Sequence, residues 1–281
     1  MSMPILINGE ISNHIHVLDR GLLYGDGLFE TLAIRQRRIF LWHEHMQRLE
    51  SGCKALAIDF PGKALLENEL ARLLDERQDD VTVRVTLTRG LGRRGYRPVR
   101  NTQPSRIISL HGWPDSPQEY VTNGIRLRRC DTRLGVSDFA GIKHLNRLEQ
   151  VIAQSEWQPE EDIQEGLMLD RDQHVIEGTM TNVFIVKEGR LITPDLSQSG
   201  VTGVMRQCII DLAQEQGVDI EVLPLYLDDI NNAEEVFVTN SVIGLWPVKE
   251  FANKQWVAPG KLTKNIMSLI ENKRLTGGIV L

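Results

Sequence analysis

The chain has 281 residues, a formal net charge of −6 and an apolar fraction of 41%, the make-up of an ordinary globular enzyme-sized protein with one large domain or two modest ones. With acids in excess and like charges nowhere in blocks, it does not read as a nucleic-acid binder or a polybasic membrane-surface protein. No apolar run is long enough to span a bilayer, and the start Met1-Ser2-Met3-Pro4-Ile5 lacks a signal-peptide pattern, so a cytoplasmic protein with neither nucleic-acid nor membrane partners is expected.

Ile5-Leu6-Ile7 reads as a strand, Asn8-Gly9 as a hairpin turn, and Ile11 to Leu18 as the return strand. Asp19-Arg20-Gly21-Leu22-Leu23-Tyr24-Gly25-Asp26-Gly27 follows, a glycine-rich loop that permits positive φ and the close approach of another segment. Leu28 to Ile34 and Arg38 to Leu41 alternate like strands. Trp42 to Ala57 is helical, with Met46, Leu49, Cys53 and Leu56 on one stripe and Arg48 at its edge. Leu65 to Arg77 reads as a second amphipathic helix, and Val81 to Thr88 as a β-branched strand. The basic glycine loop from Arg89 to Arg97 carries guanidinium groups suited to carboxylates or phosphate. Ser105 to Leu110 is a strand, and the proline-rich stretch from Gly112 to Gln118 a linker.

Beyond the linker, Ile125 to Arg129 reads as a strand. Leu145, Leu148, Val151 and Ile152 recur at helical spacing, so a helix is expected to begin just after Lys143, with Asp138 and Gly141 forming the preceding turn. Lys143 then sits at a loop-to-helix junction. A lysine at such a point is by residue type a solvated one, and cations are disfavoured at a helix start. Glu165 to Leu169 and His174 to Ile176 make a hairpin. Glu177 ends a strand before the small-residue turn Gly178-Thr179-Met180-Thr181, and Asn182 to Val186 is the next strand. Ser199 to Arg206 places small residues ahead of a helix running to about Gln216, an arrangement that serves equally as an N-cap and as an anion site. Ile220 to Val222 and Val236 to Thr239 are strands, Asn240-Ser241 a polar break, and Leu262 to Lys273 the last helix. Cys53, Cys130 and Cys208 are far apart and odd in number. They are expected to be inert core thiols of a reducing compartment, and no metal site is expected.

Order and spacing together carry a resemblance. Asp19-Arg20-Gly21, Gly25-Asp26-Gly27-Leu28-Phe29-Glu30-Thr31, His45 with Arg48-Leu49, Lys143, Glu177-Gly178-Thr179 with Asn182-Val183-Phe184, Thr202-Gly203-Val204-Met205-Arg206 and Val238-Thr239-Asn240-Ser241 with Pro247-Val248 resemble the fold type IV pyridoxal-phosphate enzymes. That group holds branched-chain aminotransferases, D-amino-acid aminotransferases and aminodeoxychorismate lyases. Within it, Lys143-His144-Leu145-Asn146-Arg147-Leu148-Glu149 and Gly95-Tyr96 look most like the lyase branch, although the usual extra glycine of the basic loop is Arg93 here.

The resemblance implies an α/β fold with α+β character. It places a small N-terminal α/β domain at 1–112, a linker at 113–120, and a larger mixed β-barrel-like domain with helices at 121–281, which would carry the cofactor anchor. It makes Lys143 the covalent anchor of pyridoxal 5'-phosphate and the proton-transfer base. Glu177 becomes the partner of the pyridine nitrogen, and Arg48, the backbone N–H groups of Val204 and Met205, and Ser241 become the phosphate ligands. Asn146 is placed at the cofactor ring. Thr31 is the proton donor to a leaving group, and Arg94, Tyr96, Arg97 and Asn240 contact the substrate. The implied reaction is a β-elimination on the small molecule aminodeoxychorismate, giving 4-aminobenzoate and pyruvate for folate synthesis in a homodimer. An aminotransferase of the same fold is the second reading. A binding-only protein is disfavoured because it has no need of the Lys143 and Glu177 pair.

Overall fold

The computed structural model describes residues 3–74, 77, 79–99 and 102–280. By its internal packing the chain divides into two units. An N-terminal unit comprises Met1–Pro114 with Ile142–Asn146 and Gly277–Leu281, and a C-terminal unit comprises Asp115–Gly141 with Arg147–Thr276. The first cut falls within the expected linker. The lysine segment differs from expectation, because 142–146 belongs to the N-terminal unit and not to the larger one.

In the N-terminal unit, β1 (Ile5–Ile7) and β2 (Glu10–Ile11) flank the Asn8-Gly9 turn, both residues of which have positive φ. The return strand is two residues long, shorter than the span to Leu18 expected from sequence, because His14, Ile15, His16 and Val17 are exposed and lack a partner strand to bury them. A short helix α1 (Arg20–Tyr24) replaces the expected loop: the Asp19 carboxylate accepts the Gly21 N–H and Gly25 closes the helix at φ 64°. Then come β3 (Gly27–Arg35), β4 (Arg38–Ile39), α2 (Trp42–Leu56), α3 (Lys63–Leu74), β5 (Val81–Thr88) and β6 (Ser105–Gly112). α3 is described to Leu74; of the expected continuation to Arg77, residues 75–76 lie outside the described residues and Arg77 is not helical. The antiparallel sheet runs β4-β3-β5-β6-β1-β2. Leu28, Leu32 and Ile34 of β3 alternate with Val81, Val83, Val85 and Leu87 of β5 on one face, buried with Met46, Leu49, Leu66 and Leu70 of α2 and α3.

The C-terminal unit continues with α4 (Glu119–Thr122), β7 (Ile125–Leu134), α5 (Leu148–Gln154), β8 (Glu165–Asp170), β9 (Val175–Gly178), β10 (Asn182–Lys187), β11 (Arg190–Pro194), α6 (Val204–Glu215), β12 (Ile220–Leu223), α7 (Leu227–Asn231), β13 (Glu235–Asn240), β14 (Gly244–Phe251), β15 (Lys254–Gln255) and α8 (Lys261–Thr276). Its mixed sheet runs β12-β11-β10-β13-β14-β7-β8-β9. The two ends of that path approach each other: the Val175 N–H of β9 donates to Leu225 O, just past β12. The sheet is therefore barrel-like, as expected, around Val183, Ile185, Val236, Val238 and Trp246. β14 went unread in the sequence because Pro247 interrupts an otherwise apolar run. Finally β16 (Ile279–Val280) returns to the N-terminal sheet, pairing with β4. The three cysteines are buried thiols outside any disulfide. Burial pushes Cys53 and Cys130 up to about 12, which makes them unreactive. No helix among the described residues is long and apolar enough to cross a membrane.

Candidate active site

The helix expected just after Lys143 begins five residues later, at Leu148. The reason is main-chain pairing: the Phe29 N–H donates to Lys143 O at 3.1 Å, the Leu145 N–H donates to Gly27 O at 3.0 Å, and Leu28 and His144 form an isolated antiparallel bridge. Backbone groups used in this way are unavailable to a helix. The lysine is thus aimed by the start of β3, and its Nζ lies 4.3 Å from the centroid of the Phe29 ring.

The glycine-rich stretch explains how the lysine segment gets so close. Gly25 is left-handed, and a Cβ there would run into the Asn146 side chain, whose Nδ2 donates to Gly25 O at 3.2 Å. A Cβ at Gly27 would meet Leu87 O and the Leu145 side chain. The approaching segment anticipated from those glycines is therefore the lysine segment itself, and Asn146 serves to lock it to β3's leading turn.

Beneath β3, Glu30, His45 and Arg48 form a buried charged cluster. Arg48 Nε donates to Glu30 Oε1 at 2.8 Å, and its Nη2 donates to Glu30 Oε2. His45 Nδ1 lies 2.7 Å from Glu30 Oε2. Burial opposes the charge on Glu30, but Arg48 and then His45 outweigh it and hold the carboxyl at about 2. Burial lowers His45, so its ring is neutral at pH 7 and Nδ1–H donates to Glu30, leaving Nε2 buried with no hydrogen-bond partner. Arg48 is thereby held rigidly in one orientation at the edge of α2. Thr31 lies on the opposite face of the same strand, with Phe29.

The basic loop is docked on α1 through its backbone. Arg20 Nη1 and Nη2 donate to the carbonyls of Gly95 and Tyr96, the Gly95 N–H donates to Tyr24 Oη, and the Tyr24 and Tyr96 rings stand 5.5 Å apart. Arg93, Arg94, Tyr96 and Arg97 are exposed. Arg89, grouped with them in the sequence, is instead structural. It pairs with Asp26 at 2.7 Å and caps the carbonyls of Leu56 and Ala57 at the end of α2.

In the C-terminal unit, Glu177 is buried at the end of β9, where its Oε2 accepts the Val201 N–H at 2.8 Å and its Oε1 faces Gln150 Nε2 at 3.4 Å. Gln150 Oε1 is buried with no partner. Burial lowers Arg147, and the neighbouring charges of Glu177 and Glu149 oppose that shift. The turn after Glu177 is shaped by Glu165, which accepts from the N–H groups of Gly166, Thr179 and Met180 and from both Thr179 and Thr181 hydroxyls. Gly203 caps the N-terminus of α6 and, as a glycine, brings no side-chain acceptor to the first amides, those of Val204 and Met205. Ser199, just ahead, has a buried hydroxyl with no partner. Ser241 follows β13. The Asn240 side chain is taken up by the same turn, accepting from the N–H groups of Val242 and Ile243 and donating to Met180 O.

Taken unit by unit, the groups are of the kinds that pyridoxal phosphate needs: in the N-terminal unit a lysine amine on a main-chain platform, and in the C-terminal unit a buried carboxylate suited to a ring N–H and a glycine-capped helix start suited to a phosphate. Sequence reasoning quoted Phe29, Glu30, His45 and Arg147 within the resemblance but gave none of them a role. Only the acidic residue in the middle of an apolar strand, Glu30, gave a signal, since a buried carboxylate demands a partner.

Residues 27–251 match the family described as amino-transferase class IV, and the chain belongs to that family, whose cofactor is pyridoxal 5'-phosphate. It is 34% identical over 265 residues to an aminodeoxychorismate lyase of Vibrio harveyi, covering 92% of this chain and 97% of that one. It is 32% identical to a putative branched-chain-amino-acid aminotransferase of Methanocaldococcus jannaschii, over 99% and 98% of the two chains. Its fold superposes on the crystal structure of the 4-amino-4-deoxychorismate lyase of Pseudomonas aeruginosa with a TM-score of 0.90 at 39% identity, covering 95% and 98%.

Proposed function

We propose that this chain is an aminodeoxychorismate lyase that cleaves its substrate to 4-aminobenzoate and pyruvate, a step of folate synthesis. The observation that carries the reading is the full-length likeness to the Pseudomonas lyase, in fold and at 39% identity. The Lys143-His144-Leu145-Asn146-Arg147-Leu148-Glu149 block adds to it. A class IV aminotransferase is the second reading, favoured by the 32% identity to the putative branched-chain enzyme.

Pyridoxal phosphate, when bound, supplies a conjugated ring that accepts the electron pair left when a C–H bond beside the substrate nitrogen breaks. On this reading Lys143 anchors it covalently, and Arg48, the amides of Val204 and Met205, and Ser241 hold the phosphate. Glu177 keeps a proton on the ring nitrogen, a role that calls for a carboxylate. Asn146 fixes the segment that carries the lysine. Once exchanged for the substrate amine, the Lys143 Nζ takes the proton from the carbon bearing that amine. Thr31 Oγ1 gives a proton to the departing enolpyruvyl oxygen as the C–O bond breaks. Arg94, Tyr96 and Arg97, whose side chains turn outward from the docked loop, and Asn240 are assigned to the substrate.

The protein is further proposed to act as a homodimer. α5 leaves Leu148, Val151 and Ile152 at 71%, 57% and 51% exposure on a helix otherwise expected to bury them, a patch suited to a second subunit. Turnover of aminodeoxychorismate measured beside transamination of D-alanine with 2-oxoglutarate tests the assignment. The lyase reading predicts 4-aminobenzoate formation as the dominant activity, and a faster transamination would replace it with the second reading.

A further inference from the structure

The carboxyl of Glu165, at the head of β8, is fully buried. Among the described residues, every group that hydrogen-bonds to it is neutral: the N–H groups of Gly166, Thr179 and Met180 and the hydroxyls of Thr179 and Thr181. The set is that of a carboxylate. The amides can only donate, and the Thr179 hydroxyl, which receives Gln154 Nε2, turns its own proton to Glu165. Burial nevertheless pushes this carboxyl up. A well-packed apolar side chain fills such a place at lower cost, so stability alone does not account for the anion. Its contacts gather the turn that follows Glu177. Glu177 stands opposite Met168, and β9 ends at Gly178, opposite Leu167. A Cβ at Gly178 would lie 2.1 Å from Thr181 Oγ1 and 2.9 Å from the Glu165 carboxyl carbon, so the turn closes directly onto the anion. The same network reaches α5, where Gln150 and Gln154 lie one turn apart. Gln154 holds the Thr179 hydroxyl, and Gln150 Nε2 faces Glu177 Oε1 at 3.4 Å with its own Oε1 left buried and unpartnered.

We propose that Glu165 is a positioning residue for Glu177: through the Gly178–Thr181 turn and the Thr179–Gln154 contact with α5, it fixes the orientation in which Glu177 keeps a proton on the pyridoxal-phosphate ring nitrogen. The inference rests on that reading of Glu177. The Val201 N–H holds Glu177 Oε2 at 2.8 Å, and Oε1, on the longer contact to Gln150, is the side that α5 steers. An ionised Glu165 accepts all of its donors at once. An amide in its place sets an N–H against the N–H of Met180, or against those of Gly166 and Thr179, and the turn gives way on that side.

The test uses holoenzyme loaded with pyridoxal phosphate whose ring nitrogen is isotopically labelled, so that magnetic resonance reads the protonation of that nitrogen without turnover. Melting temperatures of wild type, Glu165→Gln and Glu177→Gln are compared to establish folding. Glu177→Gln should move the nitrogen signal towards that of an unprotonated ring, and Glu165→Gln should move it part of the way. kcat for aminodeoxychorismate should fall about tenfold in Glu165→Gln, less than the roughly hundredfold of Glu177→Gln, with KM moved less than kcat. The double variant should turn over no more slowly than Glu177→Gln alone, because both changes act through one group. Thr179→Val, which breaks the chain from Gln154 to Glu165, should shift the nitrogen signal in the same direction, and Thr179→Ser, which keeps the hydroxyl, should restore it. That pair decides the matter if Glu165→Gln does not fold. A lowered melting temperature with an unmoved nitrogen signal would make Glu165 a purely structural anion and overturn the inference. Losses that multiply in the double variant, or a Thr179→Ser as impaired as Thr179→Val, would overturn it as well. An unmoved signal in Glu177→Gln would instead remove the ring-nitrogen reading of Glu177, and this inference with it.

Discussion

Replacing Glu30 by glutamine tests whether the buried cluster under β3 holds Arg48. The amide has the same shape but cannot carry the charge that two Arg48 nitrogens and His45 Nδ1–H converge on. Removing one partner of a fully buried pair costs about 3–5 kcal/mol. The Arg48 side chain retains 16% exposure, so about 2–4 kcal/mol is expected here. An independent figure comes from proton linkage. The folded carboxyl titrates at about 2 against 4.5 for an ordinary glutamate, and that difference corresponds to about 3 kcal/mol. The sign follows from the lowered value: the contribution is complete above pH 4.5 and is lost as pH falls towards 2, with roughly 1.4 kcal/mol gone by pH 3.5. Urea unfolding of wild type and Glu30→Gln at pH 7 and pH 3.5, at fixed protein and cofactor concentration, measures both numbers. The variant should be less stable by about 2–4 kcal/mol at pH 7, and the gap should narrow on acidification. A gap below about 1 kcal/mol, or one that does not narrow, would refute the reasoning, because an exposed pair behaves that way.

Borohydride reduction of the holoenzyme followed by peptide mapping should place the reduced cofactor adduct on Lys143; an adduct on Lys54 or Lys187 would displace the assignment. Glu177→Gln should lower kcat by roughly a hundredfold or more with a much smaller change in cofactor binding, and turnover at the wild-type rate would remove the ring-nitrogen role. Gly25→Ala forces a left-handed alanine against Asn146 and should destabilise the protein by about 1–3 kcal/mol while lowering cofactor retention, as read by thermal melts of the holoenzyme and its visible absorbance.

The sequence was most legible where one physical rule dominated. The β5 strand reads off its β-branched alternation residue for residue, and α2 reads off its apolar stripe to within one residue at its end. Legibility failed where tertiary contacts overrode local pattern. Residues 143–147 have a helical apolar period, yet main-chain hydrogen bonds of Lys143 and Leu145 to Phe29 and Gly27, distant in sequence, keep the segment out of a helix, and Leu148, Val151 and Ile152 of the stripe that suggested it are exposed. The glycines announced a close approach without naming what approached. Arg89 and Arg94 look equivalent in a basic loop, but only Arg89 reaches Asp26 and the end of α2.

The most direct test of the lyase assignment is product stoichiometry without an amino acceptor. Holoenzyme is mixed with excess aminodeoxychorismate in the absence of any 2-oxo acid, and 4-aminobenzoate and pyruvate are counted per active site. A lyase predicts many turnovers with the two products in equal amounts, because Lys143 is regenerated at the end of each cycle. An aminotransferase would stop after about one event per site, with the amino group left on the enzyme, and that single-event limit would contradict the account.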